Sequence, residues 1–275
     1  MIRFLLGGMV FCALQAVAAD VQPVKNAGPY VPSPQSVVSD MLRYADVGPG
    51  DFLVDLGSGD GRIVLTAAKV FGARGFGVEI KDELVKRANE AAKLEGLAER
   101  VEFIKADLFK TDISQASVIT MYLLPDTVNL LKEKFLAELR PGTRIVSHDY
   151  PLTGWIPEKY VQMELEDKVQ ISGVTTTLIY LYVVPAKVQG QWTASMPPAV
   201  SRAPATLRLK QQLTRVSGSA RLDGRDIPLE DVRLRGDRIS FKLAGRKGEF
   251  SGQIKGSSFE GMLHGKTSWS ATLGG

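Results

Sequence analysis

A chain of 275 residues, 44% hydrophobic and 23% charged, has ordinary globular composition and room for one large or two modest cores, which excludes a disordered chain. The net charge of +4 is unevenly spread: residues 1–200 carry 20 Lys and Arg against 23 Asp and Glu, residues 201–275 carry 14 against 7, so the basic character belongs to the C-terminal part. A single cysteine, Cys12, and two distant histidines, His148 and His264, exclude a disulfide framework and argue against a zinc cluster or any other metal site.

The first 19 residues read as a signal peptide. Arg3 supplies a weakly basic start, Phe4 to Leu14 an apolar run, and Ala16-Val17-Ala18-Ala19 a small-residue exit. The run is too short for a good membrane span, which needs roughly 20 apolar residues. The expectation is export, periplasmic or secreted; the alternative is an uncleaved membrane anchor.

Pro29-Tyr30-Val31-Pro32-Ser33-Pro34 leads into a helix with Ser33 as expected N-cap and Val37, Val38, Met41 and Leu42 on one face. Short apolar strands then alternate with amphipathic helices: strand 52–56, helix 61–71, strand 75–79, helix 83–95 capped by Asp82, strand 101–105, strand 118–122, helix 126–139 and strand 143–148. Such alternation argues for a parallel sheet covered by helices. Residues 161–169 and 176–184 read as two strands joined by a tight turn at Ser172-Gly173, an antiparallel hairpin at the sheet edge. The fold expected for 29–184 is therefore a Rossmann-like α/β domain with a seven-strand, mostly parallel sheet.

Residues 185–204, rich in Pro, Ala, Ser and Gly, read as a linker. From 205 to 275 strand signals recur at short intervals (205–213, 215–222, 227–234, 238–243, 248–254, 258–263 and 268–273) with turn pairs such as Asp223-Gly224, predicting a small antiparallel β domain, meander or barrel. About 70 residues bury only a marginal core, so this module is expected to lean on the first domain or on a partner.

The chemistry concentrates at Val54-Asp55-Leu56-Gly57-Ser58-Gly59-Asp60-Gly61-Arg62, a strand ending in an acid and a glycine loop that opens a helix. A dinucleotide fold shares this outline, and Glu79 stands where its ribose-binding acid would. The spacing differs, however: Arg62 replaces the final Gly or Ala of that fingerprint. Asp55 and Asp60 would repel a pyrophosphate, whereas they suit a ligand carrying a sulfonium and an ammonium. Glu79 can accept from both ribose hydroxyls, and Asp107, after the third strand, from an adenine amino group. The expected cofactor is S-adenosyl-L-methionine, bound by Tyr30, Asp55, Gly57, Gly59, Glu79 and Asp107.

With these residues goes a resemblance. Pro29-Tyr30-Val31-Pro32, the stretch from Asp55 to Val64, Tyr122-Leu123-Leu124-Pro125 and the stretch from Arg140 to Asp149 resemble class I methyltransferases of the FAM173 type. That family includes mitochondrial protein-lysine methyltransferases acting on ATP synthase and on the adenine nucleotide translocase, and archaeal relatives of broad lysine specificity. The resemblance spans roughly 29–184 and implies methyl transfer to a protein lysine, with Tyr122 and Asp149 as candidate acceptor-side catalytic residues.

Tyr30 and Trp155 are further candidates for an aromatic slot that desolvates the amine. His148-Asp149 does not read as a hydrolytic pair, because strand neighbours point to opposite faces and no nucleophile elbow is present. The basic tail allows an acidic protein or a membrane surface, and the absence of an interleaved aromatic platform argues against nucleic acid. An export signal on a protein that uses a cytosolic cofactor leaves a rival reading: an exported binding or docking module that keeps the fold without catalysis.

Overall fold

The computed structural model describes residues 30–274, so the expected signal peptide at 1–19 lies outside the described residues. The first unit runs α1 (Gln35–Tyr44), β1 (Phe52–Leu56), α2 (Arg62–Phe71), β2 (Arg74–Glu79), α3 (Asp82–Leu94), β3 (Val101–Lys105), β4 (Val118–Met121), α4 (Pro125–Glu138), β5 (Arg144–His148), β6 (Lys159–Glu164), α5 (Glu166–Ser172) and β7 (Thr176–Val183). Its seven strands lie in the order β3-β2-β1-β4-β5-β7-β6. The first five are mutually parallel, and β7 is antiparallel to both β5 and β6. The expected mostly parallel sheet with an antiparallel edge is the one observed.

Strand order reverses between β1 and β4. In an open α/β sheet this switch point leaves a crevice beyond the carboxyl ends of the strands, where ligands bind. The composition of β1 explains its central place: Leu53, Val54 and Leu56 are all fully buried, as both faces of the strand are covered by helices. On one face α1 contributes Val37, Val38, Met41 and Leu42 to the core, the stripe expected from its sequence.

Edge strand β3 is held by a side chain. Asn89 of α3 donates to Phe103 O at 2.7 Å and to Val85 O at 3.1 Å, and its Oδ1 accepts from Phe103 N at 3.1 Å. Asn89→Ala leaves both peptide groups of Phe103 short of a partner and is expected to lower stability by about 2 kcal/mol, read as a lower urea midpoint at unchanged slope.

Four local expectations are corrected. Ser33 is not the cap of α1: the N-cap position is Pro34 and the buried Ser33 hydroxyl lies 2.8 Å from His148 Nδ1. Asp82 is the first residue of α3 rather than its cap, and its carboxylate pairs with Lys86 at 2.7 Å, one turn on. No simple turn joins β6 to β7; the seven-residue helix α5 intervenes and ends at Gly173. Finally, the 185–204 stretch contains a strand, β8 (Gly190–Ser195).

That strand completes the second unit. β8, β9 (Ala205–Gln212), β10 (Arg215–Leu222), β11 (Arg225–Arg235), β12 (Arg238–Leu243), β13 (Glu249–Lys255), β14 (Ser258–Leu263) and β15 (Thr267–Leu273) close into a barrel, with β8 bridging β15 and β9. Closure removes the sheet edges a meander would expose. Inside, Trp192 stacks on Phe259 with ring centroids 3.9 Å apart, and Trp269 meets Phe241, Phe250 and Phe259 edge-on. The module therefore owns an aromatic core, and it also touches the first unit: Ala186 N donates to Gly236 O at 2.8 Å and Arg235 pairs with Glu158 at 2.7 Å.

Candidate active site

The glycine loop after β1 is pinned to the next strand, because Gly57 N and Ser58 N both donate to Val78 O at 2.9 Å. Gly57 and Gly59 adopt φ of +79° and +55°, left-handed values that glycine tolerates without steric cost. A Cβ on Gly57 would lie 2.6 Å from Leu123 Cδ2 and one on Gly59 2.5 Å from Tyr30 Cε2. The loop is thus a bare-backbone cradle closed above by Leu123 and Tyr30.

Around the cradle stand the expected acids. Glu79, at the end of β2, accepts from Gly59 N at 3.0 Å through Oε2 and from Ile80 N and Lys81 N at 2.8 and 2.9 Å through Oε1. Three backbone donors fix its carboxylate while capacity remains on Oε2 for a ligand hydroxyl. Asp107 Oδ1 accepts from Phe109 N at 2.9 Å, a local turn that orients the carboxylate after β3.

Asp55 lies beneath the loop, 2% exposed, and accepts a 2.7 Å hydrogen bond from Thr120 Oγ1, its register partner on β4. Burial pushes its carboxyl up to about 7 against the pull of that hydrogen bond, with Glu79 and Asp60 adding repulsion. Asp60 is not directed to a ligand as expected. It is locked to Arg62 at 2.6 Å, which holds it below the usual carboxylate range despite burial, and it meets the Tyr30 hydroxyl. Arg62 also donates to Ser33 O at 2.9 Å, so the Tyr30–Ser33 segment is fastened across the loop.

The second cluster sits at the ends of β4 and β5. Tyr122 packs against His148 with centroids 3.9 Å apart and planes tilted by 30°, and stacks toward Tyr150 at 6.4 Å. Its phenol is raised well above the ordinary range by burial, then by the charge of and hydrogen bond to Asp149. Asp149 departs from strand geometry at φ +62°, which brings its Oδ1 to 3.6 Å from His148 Nε2. The opposite-face expectation for this pair fails because the strand ends at His148. His148 itself is buried and lowered to about 4, chiefly by burial, so it stays neutral at physiological pH and offers no charged acid. Asp149 also binds Lys168, a buried residue of α5.

Trp155 does not join this cluster; it is 3% exposed and packs on Tyr182 in the core. Sequence reasoning misses Ser58, Thr120, Leu123, Tyr150, Ser33 and Lys168 as site residues. Ser58, Leu123 and Tyr150 carry a local signal, Ser58 as a member of the glycine loop and the other two as neighbours of Tyr122 and Asp149.

The cradle suits an adenosyl sulfonium in its donor set. Asp55 lies next to the end of β1, Glu79 ends β2 and Asp107 follows β3, and the buried Ser58 hydroxyl has no protein partner, an unmet polar atom within the loop. Among the described residues no cluster of His, Cys, Asp or Glu could hold a metal ion.

The family described as the ANTKMT methyltransferase domain matches residues 55–159, from the glycine loop through the Tyr122–Asp149 cluster. A protein-lysine N-methyltransferase of Saccharolobus islandicus is 42% identical over 157 residues, 57% of this chain and 93% of that protein. The chain belongs to this methyltransferase family. The adenine nucleotide translocase lysine N-methyltransferase of Mus musculus is 36% identical over 135 residues, 49% of this chain and 58% of its own length. A solved structure titled as an RNA methyltransferase from Salinibacter ruber in complex with S-adenosyl-L-homocysteine is 44% identical, with a TM-score of 0.52, and covers 57% of this chain and 96% of that one. The methyltransferase is dependent on S-adenosylmethionine, and the two longer matches span little more than half of this chain.

Proposed function

We propose that this chain is an exported protein-lysine N-methyltransferase. The observation that carries the lysine reading is the Tyr122–Asp149 cluster: a carboxylate beside a half-buried aromatic wall, next to the cradle, with a neutral histidine behind it. The names of the relatives from Saccharolobus islandicus and Mus musculus, both lysine N-methyltransferases, support the same acceptor.

Bound S-adenosylmethionine supplies an electrophilic methyl group on sulfur. Glu79, Asp107 and the bare loop bind and orient it, so that alignment does much of the catalytic work. On the acceptor side, Asp149 attracts an incoming ammonium, and the rings of Tyr122 and Tyr150 exclude water around it, which favours loss of its proton to solvent and leaves the neutral amine that can attack. Because His148 is neutral, it adds no repulsion toward a cationic acceptor.

The test pairs binding with transfer. Full-length protein titrated with S-adenosylhomocysteine in a calorimeter should bind at micromolar levels, and Glu79→Ala should weaken that binding about tenfold through loss of charge-assisted hydrogen bonding to ligand hydroxyls. Isotopically labelled methyl should appear on lysine residues of a lysine-rich protein mixture, resolved by mass spectrometry. Label confined to other residues, or none, rejects the lysine acceptor. Export is checked by sequencing the mature N-terminus, which should begin near Ala19 or Asp20.

A further inference from the structure

Lys168 belongs to a short helix at the sheet edge, yet its side chain is 3% exposed. Its Nζ donates to Asp149 Oδ1 at 2.7 Å, lies 2.7 Å from Oδ2, and donates to the carbonyl of Thr176. Asp149 Oδ1 also accepts from Leu178 N at 3.0 Å. A lysine ammonium thus already rests on the group at the centre of the acceptor-side cluster.

Burying an ammonium is costly unless it is paired and hydrogen-bonded. A permanent structural pair would usually be built into rigid elements, but α5 is an excursion between β6 and β7. It is pinched at its base by Leu165 N donating to Thr175 O at 2.9 Å, and it turns Val169 outward, 45% exposed. Exchanging one lysine ammonium for another on the same carboxylate conserves charge and hydrogen bonds, so the cost of exchange reduces to moving this excursion.

We propose that Asp149 and the Thr176 carbonyl form a seat for a primary ammonium, and that Lys168 is its resident occupant, displaced when an acceptor lysine enters. The proposal rests on the lysine-acceptor reading above and deepens it. Occupancy by Lys168 keeps Asp149 paired between turnovers and sets a threshold that an acceptor must exceed. A side chain that enters without an ammonium cannot replace it without leaving a buried carboxylate unpaired.

The first measurement uses the unmodified full-length protein with S-adenosylhomocysteine present. Trace acetylation by acetic anhydride, quantified peptide by peptide against the exposed Lys187, reports how accessible Lys168 is. Saturating Nα-acetyl-lysine methylamide should raise Lys168 acetylation about tenfold by vacating it from the seat, and the norleucine analogue should leave it protected. Equal protection with both probes overturns the proposal.

A second measurement is calorimetric. Lys168→Met should bind the lysine probe about tenfold more tightly than the unmodified protein, because the seat no longer needs to be cleared. Asp149→Asn should bind it weakly in either background. Unchanged affinity in Lys168→Met overturns the resident-occupant idea while leaving the lysine acceptor intact. If no protein binds the lysine probe although S-adenosylhomocysteine still binds, the seat and the lysine reading fall together. Should Lys168→Met fail to fold, the acetylation result alone decides.

Discussion

Gly59→Val should abolish cofactor binding in a protein that still folds. At φ +55° a β-branched residue sits in a region L-amino acids rarely enter, and left-handed geometry costs roughly 1–2 kcal/mol even before branching is counted. The added Cβ would also fall 2.5 Å from Tyr30 Cε2, so either the tyrosine leaves or the loop shifts. Each outcome releases the Gly59 N–H that now holds Glu79 Oε2 at 3.0 Å. Strain, lost cover and a displaced acid act on one crevice, and the expected loss is at least about a hundredfold, some 2.7 kcal/mol of binding free energy. Calorimetric titration with S-adenosylhomocysteine measures it, with far-ultraviolet circular dichroism confirming the fold. Gly48→Ala is the control: that glycine has open space around its Cβ position and no positive φ, so binding should not change. A Gly59→Val protein that binds normally would move the site elsewhere.

The features on which that prediction rests are legible in the sequence because they are local. A strand, a glycine loop and a following helix leave their signature in consecutive residues, and β1, β3, β10, β12 and β14 fall on the expected spans. What is not legible depends on distance along the chain. Ser33 stands between two prolines where a helix cap belongs, but a hydroxyl serves a cap or a remote partner equally well, and its partner His148 is 115 residues away. Thr120 reads as an ordinary strand residue until register sets it opposite Asp55. In α5, seven residues are too few to establish a helical period against the alternation that precedes them. Composition hides β8: its proline-containing flanks suggest a linker, while the inward alternation of Trp192 and Ala194 only gains meaning once the barrel closes around it.

Asp55 gives the protein a dependence on pH that opposes the usual behaviour of carboxylates. Its ordinary value is 3.8, and burial raises it to about 7 in the folded protein. Between these two values the folded state holds a proton that the unfolded state has released, so stability falls as pH rises from about 4 to 7 and levels off above. The size of the effect is on the order of 4 kcal/mol. Asp55→Asn keeps an acceptor for Thr120 and carries no titrating proton. Its ligand-free form should therefore be more stable than the unmodified protein at pH 8 and lack this fall, as urea denaturation at about pH 5, 6, 7 and 8 would reveal. A cationic ligand reverses the preference, because it favours the ionised carboxylate beneath the loop. Binding of S-adenosylmethionine should accordingly release a proton below about pH 7 and tighten as pH rises toward neutrality, by up to about tenfold per unit in the steepest range. Titrations in two buffers of different ionisation enthalpy detect that proton. Equal heats in both buffers near pH 6 would mean that Asp55 does not change protonation on binding, and if the reason is that it is already ionised in the ligand-free protein, the same Asn variant would also lose its advantage at pH 8.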